Sequence, residues 1–164
     1  MNSIFHRTSI RKFKNTPVES EKIDMMMKAA MQAPSAGNQQ PWEFYITDNK
    51  EIIQKLSKVS PYSGCLADAP LAIVVCARKE CRMPEYAYID CSIACENLWL
   101  EADELGLGAV WLGIAPLLER MRAVEDIVQM PDSLEAFALF AVGYPDQIKE
   151  QQDRYDPDRI HYIK

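Results

Sequence analysis

Apolar residues gather along this chain in short continuous runs, and the intervals between them carry apolar residues at helical spacing. Leu71 to Ala77 is wholly apolar and β-branched at its centre, which predicts a strand covered on both faces. Gly108 to Ile114 and Ala136 to Val142 read the same way, and Glu43 to Thr47 is a further candidate strand. Thr16-Pro17-Val18-Glu19 offers an N-cap, a proline suited to the first helical position and the glutamate of a capping box. The helix it opens places Ile23, Met26, Met27, Ala30 and Ala33 on one face, and Pro34 ends it. Ser35 to Pro41 is a loop by composition. Lys50 to Val59 and Pro116 to Val128 are shorter helical stretches, and the tail from Asp146 to Lys164 is polar with no core of its own.

The longest helix, from about Glu85 to Leu105 and closed by Gly106, has two apolar faces. At 100° per residue Cys91, Ala94, Cys95, Leu98, Trp99, Ala102 and Leu105 form one arc, and Ile89, Ile93 and Leu100 form another roughly opposite. Polar stripes of Asp90, Asn97, Glu101 and Glu104, and of Ser92, Glu96 and Asp103, separate them. Both apolar faces need covers. One is the chain's own sheet, and the other is expected to be a second copy, because little of the chain is left over.

Composition narrows the function classes. A chain of 164 residues, 48% hydrophobic and 26% charged, reads as a single domain, residues 1–164, with no internal repeat and no linker. The net charge of −6 disfavours nucleic acid, and the one dense basic stretch, His6 to Lys14, is sized for a single phosphoester. No stretch has the length and apolarity of a signal peptide or a membrane span. The five cysteines are odd in number and form no CxxC, so a reducing, cytoplasmic compartment is expected rather than a disulfide framework.

Several segments can carry chemistry. Arg7-Thr8-Ser9-Ile10-Arg11 sets two guanidiniums around two hydroxyls, a combination suited to a phosphomonoester. Pro34 to Trp42 supplies one hydroxyl and the amides of Asn38, Gln39 and Gln40, which can read the polar edge of a planar heterocycle. Taken alone, the first is equally a solvated basic segment and the second an ordinary polar turn. Gly106-Leu107-Gly108 with Gly113 has the wrong spacing and context for a dinucleotide fingerprint. With His6 and His161 at opposite ends, no hydrolytic triad or metal cluster can be assembled, so an enzyme built on this chain needs a cofactor.

In order and spacing, these segments resemble the FMN-dependent nitroreductase family. Arg7 to Phe13 is similar to its opening Arg-x-Ser-x-Arg/Lys motif, and Ala33 to Trp42 to its second motif. Ala69-Pro70 through Val75, Asp90 through Gly113, and Val142-Gly143-Tyr144-Pro145 match further landmarks. The resemblance implies an α+β three-layer sandwich, a mixed central sheet flanked by helices, in an interlocked homodimer with FMN in each interface cleft. Arg7 and Arg11 would hold the phosphate and ribityl chain, with Thr8 and Ser9 adding hydrogen bonds and Arg154 a further phosphate contact. Pro34, Ser35, Ala36, Asn38 and Gln39 would come from the other subunit, and Trp111, Leu112 and Gly113 would line the flavin with backbone N–H groups at its N5/O4 edge.

The implied reaction is ping-pong transfer of hydride or electrons from NAD(P)H to a small organic acceptor, a nitroaromatic, quinone or similar molecule. No side chain is required as acid or base, so no catalytic residue is named. A flavin storage or sensor protein without turnover, and a reductive dehalogenase-like member of the same fold, are the alternatives. The chain departs from the family's pattern at Ser60 to Leu66, where no Lys or Asn stands ready for the flavin O2/N1 edge, and it carries no insertion of the kind that forms substrate lids.

Overall fold

Two apolar strands at the centre of the sequence pattern become the two central strands of the sheet. The computed structural model describes residues 2–163. Its elements are α1 (Ser3–His6), α2 (Ser20–Met31), β1 (Trp42–Thr47), α3 (Lys50–Leu56), β2 (Leu71–Arg78), α4 (Ala87–Glu104), β3 (Gly108–Gly113), α5 (Leu118–Val128) and β4 (Leu134–Gly143). The strands lie in the order β1-β2-β4-β3, and each named pair is antiparallel. A parallel component enters at the β3 edge, where Ser9 bridges to Ala109. β2 and β4 are interior, which is why both read as unbroken apolar runs.

The faces of the sheet separate by alternation. Ile73, Val75, Ala77, Phe140, Val142 and Ala109 pack in one core with α2 and α4. Ala72, Val74, Leu139, Ala141, Val110 and Leu112 pack in the other with α3 and α5. The result is the expected helix–sheet–helix sandwich. Phe140 is fully buried and touches both Trp99 and Trp111, so truncating it to alanine would cost about 3–5 kcal/mol.

Several boundaries differ from the sequence pattern for identifiable reasons. α2 starts at Ser20, not beside Pro17, and Glu19 stands at the N-cap without capping through its side chain. The Glu19 carboxylate instead accepts the Tyr144 hydroxyl at 2.7 Å and 2.8 Å, a tertiary bond that displaces the local capping box. α5 likewise begins at Leu118 rather than Pro116. The stretch around Glu85 is a 3-10 turn, Pro84–Tyr86, leading into α4.

α4 is covered by the sheet along Cys91, Ala94, Cys95, Leu98 and Ala102, and by α2, to which Asn97 Nδ2 donates at Ala29 O. Ile89 on the second arc stays exposed, and Ile93 and Leu100 are half-buried. One residue of the polar stripe is not on the surface: Asp90 is 3% exposed. The tail leaves Ile148, Tyr155, Tyr162 and Ile163 bare. Among the described residues no helix is long and apolar enough to cross a membrane.

Candidate functional site

The N-terminal strap is seated on the free edge of β3. Ile10 N donates to Ala109 O at 3.0 Å, and Trp99 Nε1 reaches the same carbonyl at 3.1 Å, so strap, strand and α4 meet at one acceptor. This junction places the Arg7 guanidinium 4.0 Å from the centre of the Trp99 ring, a cation–π contact. Arg7 Nε lies 3.3 Å from Glu96 Oε1, but the angle is wrong for a hydrogen bond, and Nε is a buried polar atom left without a hydrogen-bond partner. Beside it is a small cavity of about 80 Å³ lined by Arg7, Thr8, Ser9, Lys149, Gln151 and Arg154 among others. Arg7, Lys149 and Arg154 bring three cations to this cavity against one acid, Glu150, and Ser9 adds a hydroxyl, while the Thr8 hydroxyl donates to Lys149 O at 3.5 Å; a net positive lining of this kind suits a phosphomonoester. The strap and the tail, distant in sequence, therefore bring Arg7, Thr8, Ser9 and Arg154 to one cavity.

Arg11 is not part of that cavity. Its exposed side chain donates to Ser9 O at 3.4 Å, and its charge acts on Cys65, in the turn that follows Ser60. A cation thus stands against the very stretch, Ser60 to Leu66, that lacks one of its own.

The second motif is a tightly bent loop. Gly37, Asn38 and Gln40 all have positive φ, at 54°, 54° and 48°, an expensive conformation for the two non-glycine residues. Ser35 Oγ accepts from Gln40 N, and Asn38 Oδ1 accepts from Gln40 Nε2. Gln39 turns inward: its Nε2 donates to Asp90 Oδ2 at 2.7 Å and to Met83 O at 3.0 Å, while its Oε1 accepts from Met83 N at 2.8 Å. Ala36 N donates to the other Asp90 oxygen at 3.0 Å. Pro34 and Asn38 are exposed, and the Asn38 Nδ2 and Ser35 hydroxyl hydrogens remain uncommitted.

The end of β3 is the third region. Trp111 is half-buried against Phe137 and Phe140. Leu112 points its side chain into the α3/α5 core, and its N–H and C=O face β4, so it offers the free edge no polar group. Since Ala109 O faces the free edge, alternation turns the N–H groups of Trp111 and Gly113 the same way. Gly113 is exposed, and a Cβ there would meet nothing within 4 Å. Arg120 Nη1 donates to Gly113 O at 3.1 Å, and its guanidinium lies 5.7 Å from the Tyr62 ring.

These regions do not form one pocket within a chain. Asp90, which holds the loop, and Trp99, which underlies Arg7, are nine residues apart on α4. That separation is about 14 Å along the axis and half a turn around it. The loop and the phosphate-like cavity consequently sit on opposite sides of the helix.

Sequence reasoning missed Lys149, Gln151, Trp99 and Asp90. The first two lie in a tail without periodicity, and Trp99 was read as a core residue. Asp90 carried a signal that could have been used, an acid in the first turn of a helix whose neighbours are apolar.

Other chemistry finds no support. Burial pushes the Cys76 and Cys91 thiols up to about 12 and Cys95 higher still, which makes them poor nucleophiles. Among the described residues no His, Cys, Asp and Glu group could hold a metal ion. A wider cleft, about 810 Å³, is lined by Lys12, Asn15, Asp48, Lys50, Asp68 and Asp146 among others. It contains none of the candidate cofactor-binding residues, and its lining mixes charges of both signs.

Comparison with known proteins shows the family and the fold. The model of the nitroreductase family matches residues 4–62 and 60–144. A protein of Archaeoglobus fulgidus, named as a candidate NADH dehydrogenase/NAD(P)H nitroreductase, is 40% identical over all of this chain and 97% of its own length. The crystal structure of a candidate NADH oxidase from Clostridium acetobutylicum superposes with a TM-score of 0.96 at 45% identity, covering 99% of both chains. An FMN-dependent nitroreductase from Clostridium difficile superposes with a TM-score of 0.92 at 31% identity, covering 99% of this chain and 98% of the other.

Proposed function

Since this chain belongs to the nitroreductase family, we propose that it is an FMN-dependent oxidoreductase, taking hydride from NADH or NADPH and passing electrons to a small organic acceptor such as a nitroaromatic or quinone. The observation that carries the flavin is the cavity where Arg7, Thr8, Ser9, Lys149 and Arg154 converge, three cations from two distant ends of the chain. When bound, FMN supplies the two-electron chemistry that no described side chain offers.

The chain's own residues bind and orient. Arg7, Thr8, Ser9 and Arg154, joined by Lys149, hold the phosphate. Trp111 and Gly113, with Leu112 between them, line the ring, the first two through the free backbone edge of β3, and Arg11 brings positive charge from the side of Cys65. Negative charge on a reduced ring is stabilised by such fixed donors and cations. Pro34, Ser35, Ala36, Asn38 and Gln39 belong to the same site only if a second copy supplies them, because within one chain they lie across α4 from Arg7. A homodimer also accounts for the exposed Ile89, the half-covered Ile93 and Leu100, and the bare apolar residues of the tail.

The test is an anaerobic titration of the flavin-loaded protein. NADH or NADPH is expected to bleach the flavin absorption, and a quinone added afterwards to restore it with no donor present. Flavin that stays oxidised against both nicotinamides would instead mark a storage or sensor protein.

A further inference from the structure

The loop Ser35–Gln40 owes its shape to an acid buried beneath it. Asp90 is 3% exposed and spends one carboxylate oxygen on Ala36 N and the other on Gln39 Nε2. Gln39 then closes the network by bonding both backbone groups of Met83, in the segment between β2 and α4. Its amide is used on both ends, which leaves nothing on its donor side for a ligand. Arg78 reinforces the arrangement from β2, donating to Gln39 O at 3.3 Å and also to Gln40 O.

A buried carboxylate is retained at a cost in desolvation, and here each of its two oxygens accepts a hydrogen bond from a loop with three positive φ values. Asp90 sits in the first turn of α4, where the helix dipole favours its charge. The bend it stabilises turns Ser35 and Asn38 outward with free hydrogens while Gln39 faces inward.

We infer that Asp90 and Gln39 are positioning residues for the flavin site: they hold the Ser35–Gln40 loop in the bend that presents Ser35 and Asn38, and Gln39 does not touch the ligand. This rests on the flavin reading above.

The experiment measures FMN dissociation constants by fluorescence, together with hydrogen exchange at the Ala36 amide in flavin-free protein. Asp90→Asn keeps the shape but offers one acceptor to two donors. It is expected to weaken FMN binding roughly tenfold, the loss of one charge-assisted hydrogen bond, and to speed Ala36 exchange. Gln39→Met, which leaves Asp90 bonded to Ala36, serves if Asp90→Asn does not fold, and is expected to lose affinity similarly. FMN binding unchanged in Asp90→Asn or Gln39→Met, with only thermal stability lowered, would overturn the inference alone. Wild-type protein that binds no FMN would overturn the flavin reading, and this inference with it.

Discussion

Ile10 packs so closely over Gly108 that a Cβ on the glycine would stand 2.7 Å from Ile10 Cγ2 and 2.8 Å from Ile10 Cβ. These atoms are close to the Ile10 backbone and cannot swing aside, so the strap that carries Arg7 and Arg11 needs a glycine beneath it. Gly108→Ala is predicted to lift the strap, costing about 1–3 kcal/mol of stability by overpacking and weakening FMN binding in parallel. Denaturant unfolding and a fluorescence titration would read the two effects on one sample.

Gly113 is the counterpart with open space. Nothing lies within 4 Å of a Cβ at this position, and its backbone is an ordinary strand. Gly113→Ala should leave the flavin-free protein as stable as wild type, because alanine removes backbone entropy at no steric cost. Flavin binding should nevertheless weaken, since the added methyl occupies the surface assigned to the ring. Equal FMN affinity in wild type and variant would place the ring elsewhere.

The cavity at Arg154 makes a sharper demand. Arg154 is assigned to the phosphate alone, whereas Arg11 lies outside the cavity. Arg154→Ala is predicted to weaken FMN roughly tenfold while leaving riboflavin, which has no phosphate, unaffected. Arg11→Ala should weaken both ligands alike. Parallel titrations with FMN and riboflavin check each variant.

Most of the sandwich was legible in the sequence because β2, β3 and β4 are buried on both faces and therefore unambiguous. The strap and the tail were not legible as a single site. Arg7 and Arg154 are brought together by the docking of Ser9 on Ala109, a contact that leaves no periodic trace. Gln39 shows the opposite limit. Its residue type suggested a ligand-reading amide, and only the partners Met83 and Asp90 reveal that the amide is already engaged. The start of α2 was misplaced because a capping-box glutamate found a better partner in Tyr144, which no local window contains.

That Tyr144–Glu19 bond gives the protein a predictable acid limb. The Tyr144 hydroxyl, with Lys22 nearby, holds the Glu19 carboxyl below its ordinary value of 4.5. A group whose folded value is depressed adds stability above its unfolded value and loses it as pH falls through the folded one. Tyr144→Phe should therefore melt below wild type at neutral pH, and the gap should narrow as pH drops under 4.5, leaving the part due to the Lys22 Nζ bond to the Tyr144 hydroxyl. A gap that is constant with pH would mean that Glu19 contributes nothing through this bond.

Two copies of this chain are predicted to build an FMN site from Arg7, Thr8, Ser9 and Arg154 on one side and the Ser35–Asn38 loop on the other. Titration of flavin-free protein with FMN, followed by light scattering during size exclusion, tests it most directly. One FMN bound per chain on a species of twice the chain mass of 18.7 kDa is the predicted result. A protein that binds no FMN, or binds it fully as a monomer, would contradict the account.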